Sequence, residues 1–408
     1  MKDISFSKYI KIFSVLIAIA LIGNSNTIWV SLPSISNVFQ NLLLLVLIIS
    51  ISVILIINAE VKINKNLTMG YLFILIYLLI YIVIKHNSFS VLSDIKSILI
   101  FSFIYFYIGI CIRNQFVSLM LGYYVDILVV IGLISIFFWL FGPILGLIHP
   151  SSYVFSNWGS QSVYAVPNYF NVYFETQMLN GIPRNTAIFT EAPMASLNFF
   201  MALIIDSFFL KERKRYKQFI MIVCILTTLS STGYIGVILF VIAKVASHNF
   251  KNPTWNMCKL ILMPMILTVG LIMINTLFGK KLGDTSGQIR RDDYLAGWNA
   301  LKNSPLFGQG TNSDSIKNYM SSWRSFNLGF SNTILDLLVQ NGIYIFLLII
   351  YAVVTSISNS FKNRDYDRLI FIILFIYLFV TTIFTKTFLM FFIFTLICFN
   401  WKKYIGEK

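Results

Sequence analysis

The chain has 408 residues, is 57% hydrophobic and only 12% charged, and carries a formal net charge of +15 with a mean hydropathy of +0.79. Soluble domains carry about 25% charged residues, so this composition excludes a water-soluble globular enzyme. Apolar runs of about 20 residues, the length that a hydrocarbon core of about 30 Å demands, recur along the chain, and the positive charge sits mostly in short loops between them, as the positive-inside rule requires and a nucleic-acid-binding patch does not.

The first apolar run, residues 12–30, follows Lys2, Lys8 and Lys11; no small-residue cleavage site follows it, so it is expected to be a retained span and not a removed signal peptide. An uncharged loop, 31–40, then suits the outer side. Spans are expected at 42–57, 69–84, 97–112 and 121–141, the last leaving the membrane at Gly142-Pro143. A polar segment, 144–191, reads as an outer loop rich in Ser, Asn, Tyr and Gly. Span six, 192–210, returns to the basic run Lys211 to Lys217, which must be cytoplasmic. Residues 219–246, broken at Ser230-Ser231-Thr232-Gly233, read as a tight helical hairpin with its turn outside. Span nine is expected at 260–278. A second long outer segment, 279–341, separates it from span ten at 342–356, and Thr385-Lys386-Thr387 splits the last run into spans eleven and twelve.

The expectation is therefore an all-α polytopic membrane protein with about 12 transmembrane helices in a single integral domain over 1–408, both termini cytoplasmic. Outside the second long segment, the outer side holds only Lys85, Lys96, Arg184 and Lys386 as cations. Cys111, Cys224, Cys258 and Cys398 fall in spans or at cytoplasmic ends, so no disulfide framework is expected. His86, His149 and His248 are scattered, no cluster has metal-ligand spacing, and neither a P-loop nor a dinucleotide-binding glycine pattern occurs. No metal or other cofactor is expected.

Chemistry concentrates in the two outer segments. In the first, Gly181 to Ala195, Arg184 and Glu191 stand among nearly uncharged flanks, with Pro193 suited to the first turn of the following helix. One reading is a headgroup arginine and a carboxylate placed at a helix N-terminus. The other is an arginine that grips a phosphate and a carboxylate that orients it or acts as a base. In the second segment, Arg290-Arg291-Asp292-Asp293-Tyr294 opens an amphipathic stretch with Leu295, Trp298 and Leu301 at helical spacing. It reads either as a solvated loop helix or as a second arginine cluster. Gly308-Gln309-Gly310-Thr311-Asn312 forms an amide-rich turn with the composition of an anion cradle.

Four stretches in order carry a resemblance: RNTAIFTEAPMA from Arg184, LSSTGYIG from Leu229, the segment Arg291 to Asn312 with its SPLFGQGTN, and SNTILDLLVQNG from Ser331. Together they resemble the Wzy-type polysaccharide polymerases and the related O-antigen ligases. The likeness covers the second half in motifs and the first half only in topology. It implies a bacterial cytoplasmic-membrane enzyme that transfers a growing glycan from undecaprenyl pyrophosphate to the next lipid-linked repeat unit at the outer face. It also implies catalytic roles for Arg184, Glu191, Arg290 and Arg291, and substrate contacts from Tyr234, Asp293, Tyr294, Gly308, Gly310, Asn312 and Asn332. The implied partners are an undecaprenyl-pyrophosphate-linked oligosaccharide and the bilayer, with a chain-length regulator as a further candidate and no nucleic acid. Ligases usually carry an arginine where this chain has Thr232, and a histidine near the end of the long segment, where it has Asn327, Ser331 and Asn332. Both departures favour a polymerase over a ligase and leave the catalytic base open. A flippase or transporter is the rival class; a transporter is expected to show functional charges deep in its helices, whereas Asp126 and Asp206 lie near the cytoplasmic ends.

Overall fold

The computed structural model describes residues 2–58, 65–85, 88–158, 162–247, 285–310, 314–324 and 330–399, with scattered positions between 259 and 276. The expected span at 260–278 lies almost entirely outside the described residues. Of the described residues, 73% are helical. Among the described residues, six helices are long and apolar enough to cross a membrane.

The first half consists of α1 (Lys2–Gly23), α2 (Ser36–Ile57), α3 (Lys65–Ile84), α4 (Ser88–Cys111) and α5 (Phe116–Trp139). Helix α1 ends earlier than the apolar run suggests. Asn26 adopts a left-handed conformation, which Asn tolerates better than branched residues do, and the chain then makes a short 3-10 turn, Ile28–Ser31. Helix α5 passes into a π turn, Leu140–Ile144, that contains Pro143. Helices α1, α2 and α5 pack together.

The second half contains α6 (Ala192–Ile204), α7 (Arg215–Thr227), α8 (Ser231–Ser247), α9 (Thr285–Asn303), α10 (Thr333–Lys362), α11 (Tyr366–Thr381) and α12 (Phe388–Cys398). Helix α6 is central: 94% of its apolar window is buried, against 6% for α3, which stands at the periphery. The expected hairpin is α7–α8, with its turn at 228–230 and not at 230–233. Gly233 lies inside α8, where a Cβ would stand 2.4 Å from Ser196 Oγ on α6. The glycine there serves helix–helix approach, not the turn. The basic end of α7 is tied down by ions: Lys217 pairs with Asp126, and Gln218 Nε2 donates to Asp206 Oδ2 at 2.7 Å.

The polar segment 144–191, expected as a loop within an all-α fold, carries short strands. β1 (Ser152–Ser156), β2 (Tyr164–Tyr169) and β3 (Tyr173–Phe174) form an antiparallel sheet in the order β1-β2-β3, with Ser152 opposite Asn168 and Tyr169 opposite Tyr173. Their Tyr, Val and Phe content suits a half-buried pleated surface. β4 (Met178–Leu179) and β5 (Ile182–Pro183) form a second hairpin closed by Asn180-Gly181, both at positive φ. Asn-Gly is the strongest short-range signal for such a two-residue turn.

Span ten also differs from expectation. Helix α10 begins at Thr333, nine residues before Gly342, and continues through a break at Gly342 with φ +70° and ψ −173°. The buried Asn332 caps it, its Oδ1 accepting from Leu335 N at 2.7 Å.

Candidate active site

The Asn180-Gly181 hairpin fixes the position of Arg184. Leu179 pairs with Ile182 and Met178 with Pro183, so the next pair outward is Gln177 and Arg184. The Arg184 N–H donates to the Gln177 carbonyl at 3.0 Å. The two side chains meet as well: Arg184 Nη1 donates to Gln177 Oε1 at 3.1 Å. The rest of the guanidinium reaches the α7–α8 turn, where Nε donates to the Thr228 carbonyl at 2.9 Å and Nη2 to the Leu229 carbonyl at 3.3 Å. Leu229 is left-handed, and this turn conformation presents its carbonyl together with that of Thr228. Three of the five guanidinium N–H groups are thus held by protein acceptors, which orients the remaining edge.

Glu191 occupies the N-cap position of α6 with extended backbone, yet its side chain makes no capping bond. That place is taken by Gln177, whose Oε1 accepts from Ala192 N at 3.1 Å. Gln177 Nε2 in turn donates to Glu191 Oε2 at 3.4 Å, and the Trp158 side chain lies within electrostatic reach of the same carboxylate. The capping reading of Glu191 is therefore corrected: its carboxylate makes no bond to the helix terminus and accepts from Gln177 instead. Pro193 stands in the first turn, as expected.

Arg290, on α9, lies within electrostatic reach of Glu191, and its Nη2 donates to the Thr381 carbonyl at 3.5 Å at the end of α11. The structure therefore sets Arg290, from the second polar segment, within electrostatic reach of Glu191, which shares the first segment with Arg184. Burial raises the Glu191 carboxyl above the ordinary carboxylate range, and Arg184, Gln177, Trp158 and Arg290 pull it back in part. Burial also lowers the Arg184 guanidinium from its usual value, countered by Glu191 and Tyr234. A half-buried carboxylate within electrostatic reach of two arginines can accept a proton from a hydroxyl, while the arginines hold an anion.

The other expected site residues are placed differently. Arg291 is exposed, one residue round the helix from Arg290. Tyr294 is exposed and stands near Leu295 and Trp298 on the same face of α9, with Lys302 Nζ 5.6 Å from the Trp298 ring. Asp293 is fully buried. It accepts from Arg324 Nη1 at 2.6 Å and from Ser331 N at 2.9 Å, while Asp292 takes Ser321 and the same guanidinium. This buried ion network ties α9 to the start of α10. Tyr234 lies on α8 within reach of Arg184 and donates from its hydroxyl to the Leu226 carbonyl at 3.1 Å.

Gly308 and Gly310 do not present free N–H groups. Gly308 N donates to the Ser304 carbonyl and Gly310 N to the Gln340 carbonyl, and Gln309 N bonds the Val339 carbonyl. Their loop packs backbone to backbone on the α10 break. A Cβ at Gly308 would stand 2.5 Å from Gln340 O, and one at Gly342 would stand 2.3 Å from Leu306 O. Close approach, not anion cradling, accounts for these glycines. Asn312 and Asn327 lie outside the described residues. Asn332 caps α10.

Gln177 and Trp158 are contributors that sequence reasoning missed, as is Tyr164, which also lies within reach of Glu191. The signal for Gln177 was present in the chain, four residues before Gly181: the Asn-Gly turn predicts that Gln177 faces Arg184.

Residues 218–352 match the O-antigen ligase family model, a stretch that runs from α7 into α10 and holds Arg290 and the hairpin turn. Arg184 and Glu191 precede it. No curated protein and no solved structure matches the chain. Over the matched stretch, the chain is similar to the O-antigen ligase-like superfamily, which supports a glycan-processing membrane enzyme.

Proposed function

We propose that this protein is a repeat-unit polymerase. It transfers a growing glycan from undecaprenyl pyrophosphate to the next lipid-linked unit at the outer face of the bacterial cytoplasmic membrane, with both termini inside and about twelve spans. The observation that carries this reading is the placement of Arg184 and Arg290 within electrostatic reach of the half-buried Glu191. A hydroxyl oxygen of the acceptor sugar attacks the anomeric carbon of the donor. The bond from that carbon to the pyrophosphate oxygen breaks, and the hydroxyl proton passes to Glu191. The leaving pyrophosphate takes the electron pair, and Arg184 and Arg290 stabilise its charge at the membrane surface. The free energy resides in the donor, so no nucleotide is required.

Ligation to a different acceptor is the second reading, favoured by the family description over 218–352. The two share donor chemistry and differ in acceptor. Purified protein in detergent, given only a lipid-pyrophosphate-linked repeat unit and EDTA, should lengthen it into a ladder. Transfer confined to a different lipid acceptor would establish the ligase. Scrambling of the lipid across vesicles with no extension would overturn both in favour of a flippase.

A further inference from the structure

A cavity of about 800 Å³ lies between α3, α4, α10 and α12, apart from the Glu191 cluster. It follows α12 from Lys386, just before its first turn, to Cys398 at its last. At 1.5 Å per residue that is a slot about 18 Å long. Its charged lining residues are Asp94, Asp336 and Lys386, which sit near the starts of α4, α10 and α12 and so share one end. The remainder is largely apolar and aromatic. Phe73, Leu347 and Tyr351 on its walls are well exposed, so the slot opens sideways toward the bilayer. A long apolar slot with all its charge at one end has the shape of an amphiphile with one chain.

The polar end has a specific chemistry. Asp336 is buried and accepts from Gln340 Nε2 and from Thr385 Oγ1. This fixes Gln340, whose Oε1 is buried without a hydrogen-bond partner among the described residues. An amide oxygen so placed calls for a donor, which a sugar hydroxyl supplies and an ionised phosphate does not. Lys386, within electrostatic reach of Asp94 and Asp336, is the cation of the cluster. It adopts φ +63°, a conformation uncommon outside glycine. The Gly308–Gly310 loop closes over the same end through its bonds to Val339 and Gln340.

This end is also close to the candidate active site. Arg290 bonds the Thr381 carbonyl, and Lys386 is five residues further on the same connection. Five residues span at most about 18 Å even when fully extended.

We infer that this slot holds the chain of a second lipid-linked substrate, a polyprenyl-linked sugar whose hydroxyls meet Gln340 and Asn341 and whose phosphate meets Lys386. The identity of the occupant rests on the proposed transfer between two lipid-linked glycans. A single slot one helix long suits one isoprenoid chain, whereas a phospholipid brings two.

The test uses full-length protein in vesicles and a polyprenyl-phosphate-linked sugar carrying a diazirine on its chain. Crosslinks should map to the α3, α10 or α12 walls of the slot. Unlabelled polyprenyl-phosphate sugar should compete at least about tenfold better than phosphatidylglycerol, a difference of about 1.4 kcal/mol. Equal competition by phosphatidylglycerol, or crosslinks spread over α2 and α5, would overturn the inference. Ala352→Trp, which fills the slot, should abolish the crosslink, and the wild-type competition decides the matter if that variant fails to fold. Crosslinking should persist in Arg184→Ala. Slot labelling without any chain extension by wild-type protein would sink the polymerase and leave the slot standing; extension without slot labelling would do the reverse.

Discussion

Gln177 and Arg184 face each other across the Asn180-Gly181 turn, joined by a backbone bond of 3.0 Å and a side-chain bond of 3.1 Å. The same glutamine holds the first N–H of α6 and the carboxylate of Glu191. The hairpin Met178–Pro183 thus couples the arginine, the carboxylate and the mouth of the most buried helix.

Removal of Gln177 should affect both the fold and the chemistry. Gln177→Ala should lower stability by about 1 kcal/mol, the usual effect of losing a helix cap, and should lower turnover more than that loss explains. Gln177→Glu is the sharper test. A second carboxylate beside Glu191 opposes its ionisation, so the pH profile of chain extension should move to higher pH. An unshifted profile with full activity would show that Gln177 does not position Glu191.

Arg184→Lys keeps the charge but cannot reproduce bonds to Gln177, Thr228 and Leu229 at once. Chain extension by purified protein should fall about 10²-fold or more in both Arg184→Lys and Arg184→Ala, the scale for losing one preorganised donor to a developing charge. Unchanged extension in both variants would remove Arg184 from the site.

Glu191 gives a pH signature. Its carboxyl is raised by burial, so as a base it works only above that raised value. Extension should therefore decline as pH falls through a value above the ordinary carboxylate range, and Glu191→Gln should lose this limb along with about 10²-fold of turnover. The stability effect has the opposite sign. A raised carboxyl favours folding in its neutral form, so its contribution is present at low pH and lost as pH rises through the folded value. Glu191→Gln should consequently melt no lower than wild type at neutral pH, as scanning fluorimetry in detergent can check. A melting temperature well below wild type would indicate a structural carboxylate.

Gly342→Ala places a Cβ 2.3 Å from Leu306 O at φ +70°. The strain should cost about 1–3 kcal/mol and lower the melting temperature in detergent. Arg291→Ala, on an exposed side chain, should leave it unchanged. A wild-type melting curve for Gly342→Ala would show that the loop and the α10 break do not pack as described.

Orientation can be read by cysteine accessibility. A cysteine replacing the exposed Tyr153 should label from outside intact cells, and one replacing Lys214 only after permeabilisation. Labelling of Lys214→Cys in intact cells would invert the topology on which the proposed chemistry depends.

The sequence by itself determined the class of molecule. Apolar length and the placement of Lys and Arg depend on the bilayer and not on partners, so the α7–α8 hairpin, the α11–α12 split and the helix starting at Ala192 were all readable. The pairing of Gln177 with Arg184 was readable too, through Asn180-Gly181, because turn chemistry is local. Tertiary structure decided what local chemistry cannot. It separated Arg290 from Arg291, since only the placement of α9 against the end of α11 chooses which arginine comes within electrostatic reach of Glu191. It gave Asp293 to Arg324, a buried charge pair made across a long loop. It also turned Gly308 from part of an apparent anion cradle into a close backbone contact with Gly342, and bonded Gly310 N to the Gln340 carbonyl, because a free N–H and a bonded one look the same in a sequence.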